Sequence, residues 1–359
     1  MVKSSKILKE LKKLSQSQLA IPLFALVLVI VFNVFRDISF FSIAVKTNNF
    51  GNTVLSGNLI SILNGASELA VLAIGMTLLT SATKGQDISV GAGAAIAGSV
   101  FVKVLLGNVI TMPVILTALL TACIVAILFY LFNGILVAKF DIQPMITSLI
   151  LFTAGRPIAY WINGGATPNV DSPLLTYIGG FIPGIPIPTP ILIVIVFGIL
   201  VTLALKLTNL ELYIQSVGIN ERAARVNGIN PFLMKLLVYM ILGVCVTIAG
   251  SINVCRIGLI NHETILIDIE MDTILAVAIG GNALSGGKFK LSGSVIGAYI
   301  IQALTITLYA MKVSSTAVKA YKAVVIIAIV VLGSPVLQKW VLQLRNRLSR
   351  KPLKVTENA

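Results

Sequence analysis

Apolar positions along this chain come in long unbroken runs, separated by short polar islands. Charge-free stretches cover 19–35, 104–138, 172–205, 236–255 and 291–311. Several reach the roughly 20 residues a helix needs to cross the hydrocarbon core. The alternation expected of outer-membrane strands is absent. Because a spanning backbone must satisfy its own hydrogen bonds, the pattern predicts an all-α, polytopic membrane protein. Ten spans are expected, at about 19–35, 59–82, 89–106, 113–138, 145–162, 191–207, 232–254, 271–285, 292–311 and 320–338. The 89–106 segment is rich in Gly and Ala, the composition of a helix packed closely on several sides. Pro113 and Pro144 open their spans. Between 163 and 189, the prolines at 168, 173, 183, 186 and 188 predict an ordered, non-helical segment. Residues 36–57 read as an external loop with room for a short helix.

Composition sharpens this picture. Hydrophobic residues make up 57% and charged residues 11%, against the roughly 25% charged of a soluble domain. The net charge of +14 forms no nucleic-acid patch, because the basic residues sit at the ends of apolar runs. Anionic lipid headgroups and the positive-inside rule account for them. With the N-terminus inside, nineteen of the 27 basic residues fall on inner segments and eight on outer ones. Both termini are therefore expected in the cytoplasm. The organisation expected is a basic leader over 1–18, a transmembrane domain over 19–340 with a cytoplasmic loop over 208–231, and a basic tail over 341–359. No cleavable signal peptide is evident. Cys123, Cys245 and Cys255 show no metal or disulfide spacing and read as small buried hydrophobes.

The most informative island is Ser216–Asn230, SVGINERAARVNGIN. Asn220 suits a helix N-cap, Glu221 falls in the first turn, and Gly228 stops the helix before Pro231. About eight helical residues make a rod of roughly 12 Å, marginal on its own in water. A solvated connector would be the ordinary reading. The small residues Ala223 and Ala224, flanked by Gly218 and Gly228, suit a helix that lies in the groove of a partner protein.

Chemistry of other kinds fails residue by residue. GGNALSGGK breaks the phosphate-loop frame, with Asn282 at the first Gly position and Phe289 after Lys288, and reads as a Gly-rich turn. His262–Glu263 lacks the second His of a zinc-protease motif, since Leu266 stands there. Asp268, Glu270 and Asp272 form the tightest acidic cluster, as a membrane-embedded glycosyl transferase would want, but fall on the extracytoplasmic side. Any energy source must lie in another chain. Among ionisable groups within the spans, Lys103 can snorkel, whereas Glu68 and Arg156 are costly. For both, a buried pair or headgroup contact and a polar wall of a water-filled path stay open. Asn64, Glu68, Asn133 and Gln143 are candidates for polar contacts along such a path.

Four blocks, Leu72–Gly98, Phe132–Arg156, Ser216–Asn230 and Ile274–Gln302, resemble in order the motifs of carbohydrate ABC-importer permeases. The resemblance, over about 60–332, is to the ribose-permease-like family of the branched-chain-type superfamily, and within it to galactofuranose-type sugar permeases. It implies that Gly218, Asn220, Glu221, Ala223, Ala224, Arg225 and Gly228 form a coupling helix seated in a groove of an ATPase. It further implies a separate ATPase subunit using ATP and Mg²⁺, a second permease chain, and an extracytoplasmic solute-binding protein, with no cofactor bound by this chain. The location implied is a bacterial cytoplasmic membrane. A nucleoside or another small polar solute is the alternative cargo, and an ATPase-independent carrier the rival mechanism. Three residues depart from the family's pattern. Glu68 stands where relatives usually carry an uncharged residue, and Lys84 and Gln86 replace the usual glycine and isoleucine of the GGIDLSVG-like block.

Overall fold

A computed structural model describes residues 20–47, 53–170 and 172–333. The expected leader over 1–18 and tail over 341–359 lie outside these. The described chain is mostly helical. Among the described residues, six helical segments are long and apolar enough to cross a membrane: Asn58–Thr83, Met112–Phe140, Pro144–Ile162, Thr189–Leu207, Pro231–Ile257 and Leu291–Ala310. Near the start, α1 (Ala20–Arg36) leads through a 3-10 turn (Ile38–Phe41) into a hairpin of β1 (Ala44–Thr47) and β2 (Thr53–Ser56). The strands pair antiparallel with Ala44 opposite Ser56, so the 36–57 segment carries a small sheet rather than only a short helix.

The second span is broken in name only. It comprises α2 (Asn58–Gly65) and α3 (Ser67–Thr83), and Ala66 between them keeps helical dihedrals. Every residue of α3 from Ser67 to Ala82 is buried. Such a helix, apolar or small all round, belongs in the centre of a bundle. It packs against α8 (Thr189–Leu207), α11 (Pro231–Ile257), α12 (Ile269–Ile279) and α13 (Leu291–Ala310). The Gly/Ala-rich α4 (Val90–Leu105) packs against α5 (Met112–Phe140), α6 (Pro144–Ile162) and α11, as its composition leads one to expect. A side chain at Gly250 of α11 would meet the Ala94 carbonyl, so these two backbones touch directly.

Two expectations change. The proline-rich segment holds one short helix, α7 (Pro173–Gly179), started by Pro173 itself at a first helical position. The span expected over 271–285 is α12, 11 residues long. At 1.5 Å per residue it measures about 16 Å, half the hydrocarbon thickness. Gly280 and the positive φ of Gly281 (79°) end it early, and the Gly280 backbone then lies directly on Gly293 of α13. The last described helix, α14, runs over Ser315–Gly333. Connections far apart in sequence are stitched together: Leu55 N–H bonds the Pro186 carbonyl, and Val170 N–H the Gly258 carbonyl.

Candidate functional site

The polar island folds as α9 (Leu210–Ile219) followed directly by α10 (Glu221–Val226). Asn220 caps α10, its side-chain oxygen accepting from the N–H groups of Arg222 (3.0 Å) and Ala223 (3.1 Å). Gly228, at φ 80°, carries the left-handed turn that ends it. Asn230 then caps α11. The small residues divide between two faces. Ala224 and Gly218 are buried in this chain, and a Cβ on Gly218 would collide with the Ser81 carbonyl at the end of α3. Ala223 and Gly228 face outward with Arg222, Arg225 and Val226, the last 88% exposed. Only part of the small-residue set is thus free for a partner; the rest lets α9 and α10 lie close on their own bundle. Glu221 is ion-paired with Lys235 of α11, whose side chain is buried. Behind α10 is a polar crevice of about 570 Å³ reached by Lys84, Asp141, Gln143, Asn220, Arg222 and Lys235.

The four path candidates do not share one surface. Asn64 and Glu68 come together around Arg256 of α11, which lies 2.7 Å from Glu68 through Nη1. Its Nη2 donates to the Asn64 carbonyl and side-chain oxygen at 3.0 and 3.2 Å. The counter-charge for Glu68 is therefore internal, which favours the buried-pair reading. Asn133 is buried on α5, its amide nitrogen without a hydrogen-bond partner among the described residues. Gln143 is exposed at the crevice.

Arg156 is likewise used internally. Its Nη1 donates to the carbonyls of His262, Glu263 and Ile265 at 2.9–3.1 Å, and its Nη2 lies 3.8 Å from buried Glu270. This clamps the 258–268 connection onto α6. Asp268 and Asp272 are matched by Lys319 and Lys322 of α14. Each member of the acidic cluster thus faces a base, an arrangement suited to fixing helix ends rather than to acid–base catalysis. The exception is Asp87 in the turn between α3 and α4. It is fully buried, and one oxygen accepts from the Ser89 N–H at 2.7 Å and from the Ser89 hydroxyl. The other has no hydrogen-bond partner among the described residues. Burial pushes its pKa up to about 6, against the bonds from Ser89.

Sequence reasoning missed Ser81, Lys235 and Arg256 as members of these sites. Arg256 and Lys235 were legible only as topology markers, because nothing local names their partners.

The comparisons agree with this architecture. Residues 58–333 match the family model described as branched-chain amino acid transport system / permease component. The chain is 40% identical to the galactofuranose transporter permease protein YtfT of Escherichia coli K12, over 78% of this chain and 80% of that one. It is 36% identical to the fructose import permease protein FruF of Bifidobacterium longum, over 90% of each. It is 34% identical to the ribose import permease protein RbsC of Escherichia coli K12, over 81% of this chain and 90% of the relative. No solved structure matches the chain. A family model covering most of the described bundle, together with relatives of this identity across more than three quarters of the chain, places this protein in the branched-chain-type transport permease family.

Proposed function

We propose that this chain is the membrane-spanning permease subunit of an ATP-driven importer, passing a sugar handed over by an extracytoplasmic binding protein. The observation that carries this reading is α10. Its inner side is locked to the bundle through Ala224 and the Glu221–Lys235 pair, with Gly218 seating the preceding α9, while Ala223, Arg222, Arg225 and Val226 stand free. An exposed apolar tip on a short, well-anchored helix is what a groove on an ATPase would receive. The names of the relatives support a sugar as cargo. ATP and Mg²⁺ are handled by the partner, and a second permease chain, identical or a sister, completes the pore. In this reading the chain passes the cytoplasmic membrane ten times with both termini inside, the short α12 completing its pass through the Gly-rich turn that follows it. ATP binding moves α10 as a lever, and the close Gly/Ala contacts of α4, α12 and α13 let helices slide between inward- and outward-facing packings.

The test is gentle detergent extraction from the chain's own membrane, followed by identification of what co-purifies. Wild-type protein should bring an ATPase, and Val226→Asp should lose it while inserting normally. Recovery of the chain alone from membranes that take up the sugar, or full ATPase retention by Val226→Asp, would overturn the reading. Val226 is a cleaner site than Glu221, where charge reversal would also break the pair with Lys235.

A further inference from the structure

Three cytoplasmic segments meet at the end of α3. The Ser81 carbonyl accepts from the Gly287 N–H at 3.0 Å, within the Gly-rich 280–290 connection. The same carbonyl abuts Gly218 of α9 so closely that no side chain fits between them. The first is a hydrogen bond, but the second is stiff in compression and weak in tension, since Gly218 only rests on Ser81. The turn that follows α3 adds ties of another kind. The Lys84 ammonium donates to the Ile219 carbonyl, the last of α9, at 3.3 Å. The Gln86 amide donates to the Leu284 carbonyl in the Gly-rich connection at 2.9 Å. The Ile219 carbonyl is at the negative end of α9, where a cation is favoured twice over, by the hydrogen bond and by the dipole. Lys84 itself sits at φ 58°, a conformation glycine adopts without strain. A glycine at 84 and an isoleucine at 86, usual in the related pattern, carry no side-chain donor, so neither tie could form.

We propose that Lys84 and Gln86 are positioning residues for energy coupling: they fasten the α9–α10 lever and the Gly-rich connection to α3, so that a pull on α10 moves α3 as well as a push. The inference rests on the coupling role given above to α10. Helix α3 is buried along its length and begins near Arg256, whose guanidinium holds Glu68 and Asn64. A lever fastened at one end of this rod acts on that cluster at the other. Without the ties, α9 can part from Ser81 on the return stroke, and ATP is hydrolysed without transport.

The test uses the complete complex, permease with ATPase and binding protein, in proteoliposomes, and reads sugar transported per ATP hydrolysed. Lys84→Met combined with Gln86→Ala should lower that ratio about fivefold, the scale of an ordinary coupling energy, with ATPase co-purification unchanged. Lys84→Arg should keep the wild-type ratio. Lys84→Gly removes the tie while relieving backbone strain, so a misfolded protein cannot explain its loss of coupling. An unchanged ratio in Lys84→Gly combined with Gln86→Ala would overturn the proposal, as would loss of the ATPase from that variant. A wild-type complex without any ATPase fails differently, by removing the coupling role of α10 itself.

Discussion

Glu68, Glu270 and Asp87 show two treatments of a buried carboxylate. Glu68 faces Arg256 at 2.7 Å, and Glu270 faces Arg156 at 3.8 Å. Removing one partner of such a pair leaves an uncompensated charge and costs about 3–5 kcal/mol, whereas replacing both by apolar groups is often neutral. Arg256→Met should therefore lower the thermal midpoint of the solubilised protein sharply, and Glu68→Leu with Arg256→Met should recover most of the loss. A double variant no better than the single one would show that Arg256 stabilises through Asn64 instead. Asp87 has no such partner, and its folded pKa of about 6 exceeds the usual aspartate value of about 4. The folded state thus holds the proton longer than the unfolded one, and stability falls as pH rises from about 4 to about 6. Asp87→Asn keeps an oxygen for the Ser89 N–H and removes the charge. It should stabilise at pH 7.5 by about 3 kcal/mol and not at pH 4. Melting curves at the two pH values check this, and a gain that persists in acid would rule out burial as the cause.

At the scale of elements, the boundaries of α10 were readable because they are set locally. Asn220 caps it and Gly228 ends it, both within a few residues of the helix they bound. Six residues give α10 little stability of its own, so the cap matters more here than in a long helix. Asn220→Ala should cost about 1 kcal/mol, seen as faster amide exchange at Arg222 and Ala223, and Asn220→Asp should restore protection. Other elements depended on distant partners. The β1–β2 hairpin is supported by Pro186, and α7 lies in a segment anchored by Gly258. The short α12 ends where Gly280 meets Gly293, a contact that hydropathy cannot foresee because the charge-free composition continues past it to Gly287.

For the whole molecule, the membrane orientation can be tested directly. On a background lacking Cys123, Cys245 and Cys255, Asn227→Cys should react with an impermeant thiol reagent only after the cells are opened. Asn108→Cys, exposed between α4 and α5, should react in intact cells. The reverse result would invert the topology and take α10 away from any cytoplasmic ATPase.

Membrane crossing, most helix boundaries and the shape of α10 follow from the sequence alone, because hydropathy and caps act over a turn or two of helix. The family resemblance was legible in the same way, as four contiguous blocks. Tertiary structure alone decided which acid meets which base, and which small residues face inward rather than outward. Arg256 reaches Asn64 across 192 residues, and Lys84 reaches Ile219 across 135. At such separations any of several basic side chains could serve a given carboxylate or carbonyl. The choice is made by how the helices pack, since a buried polar group takes the partner that the closely packed backbone brings within reach.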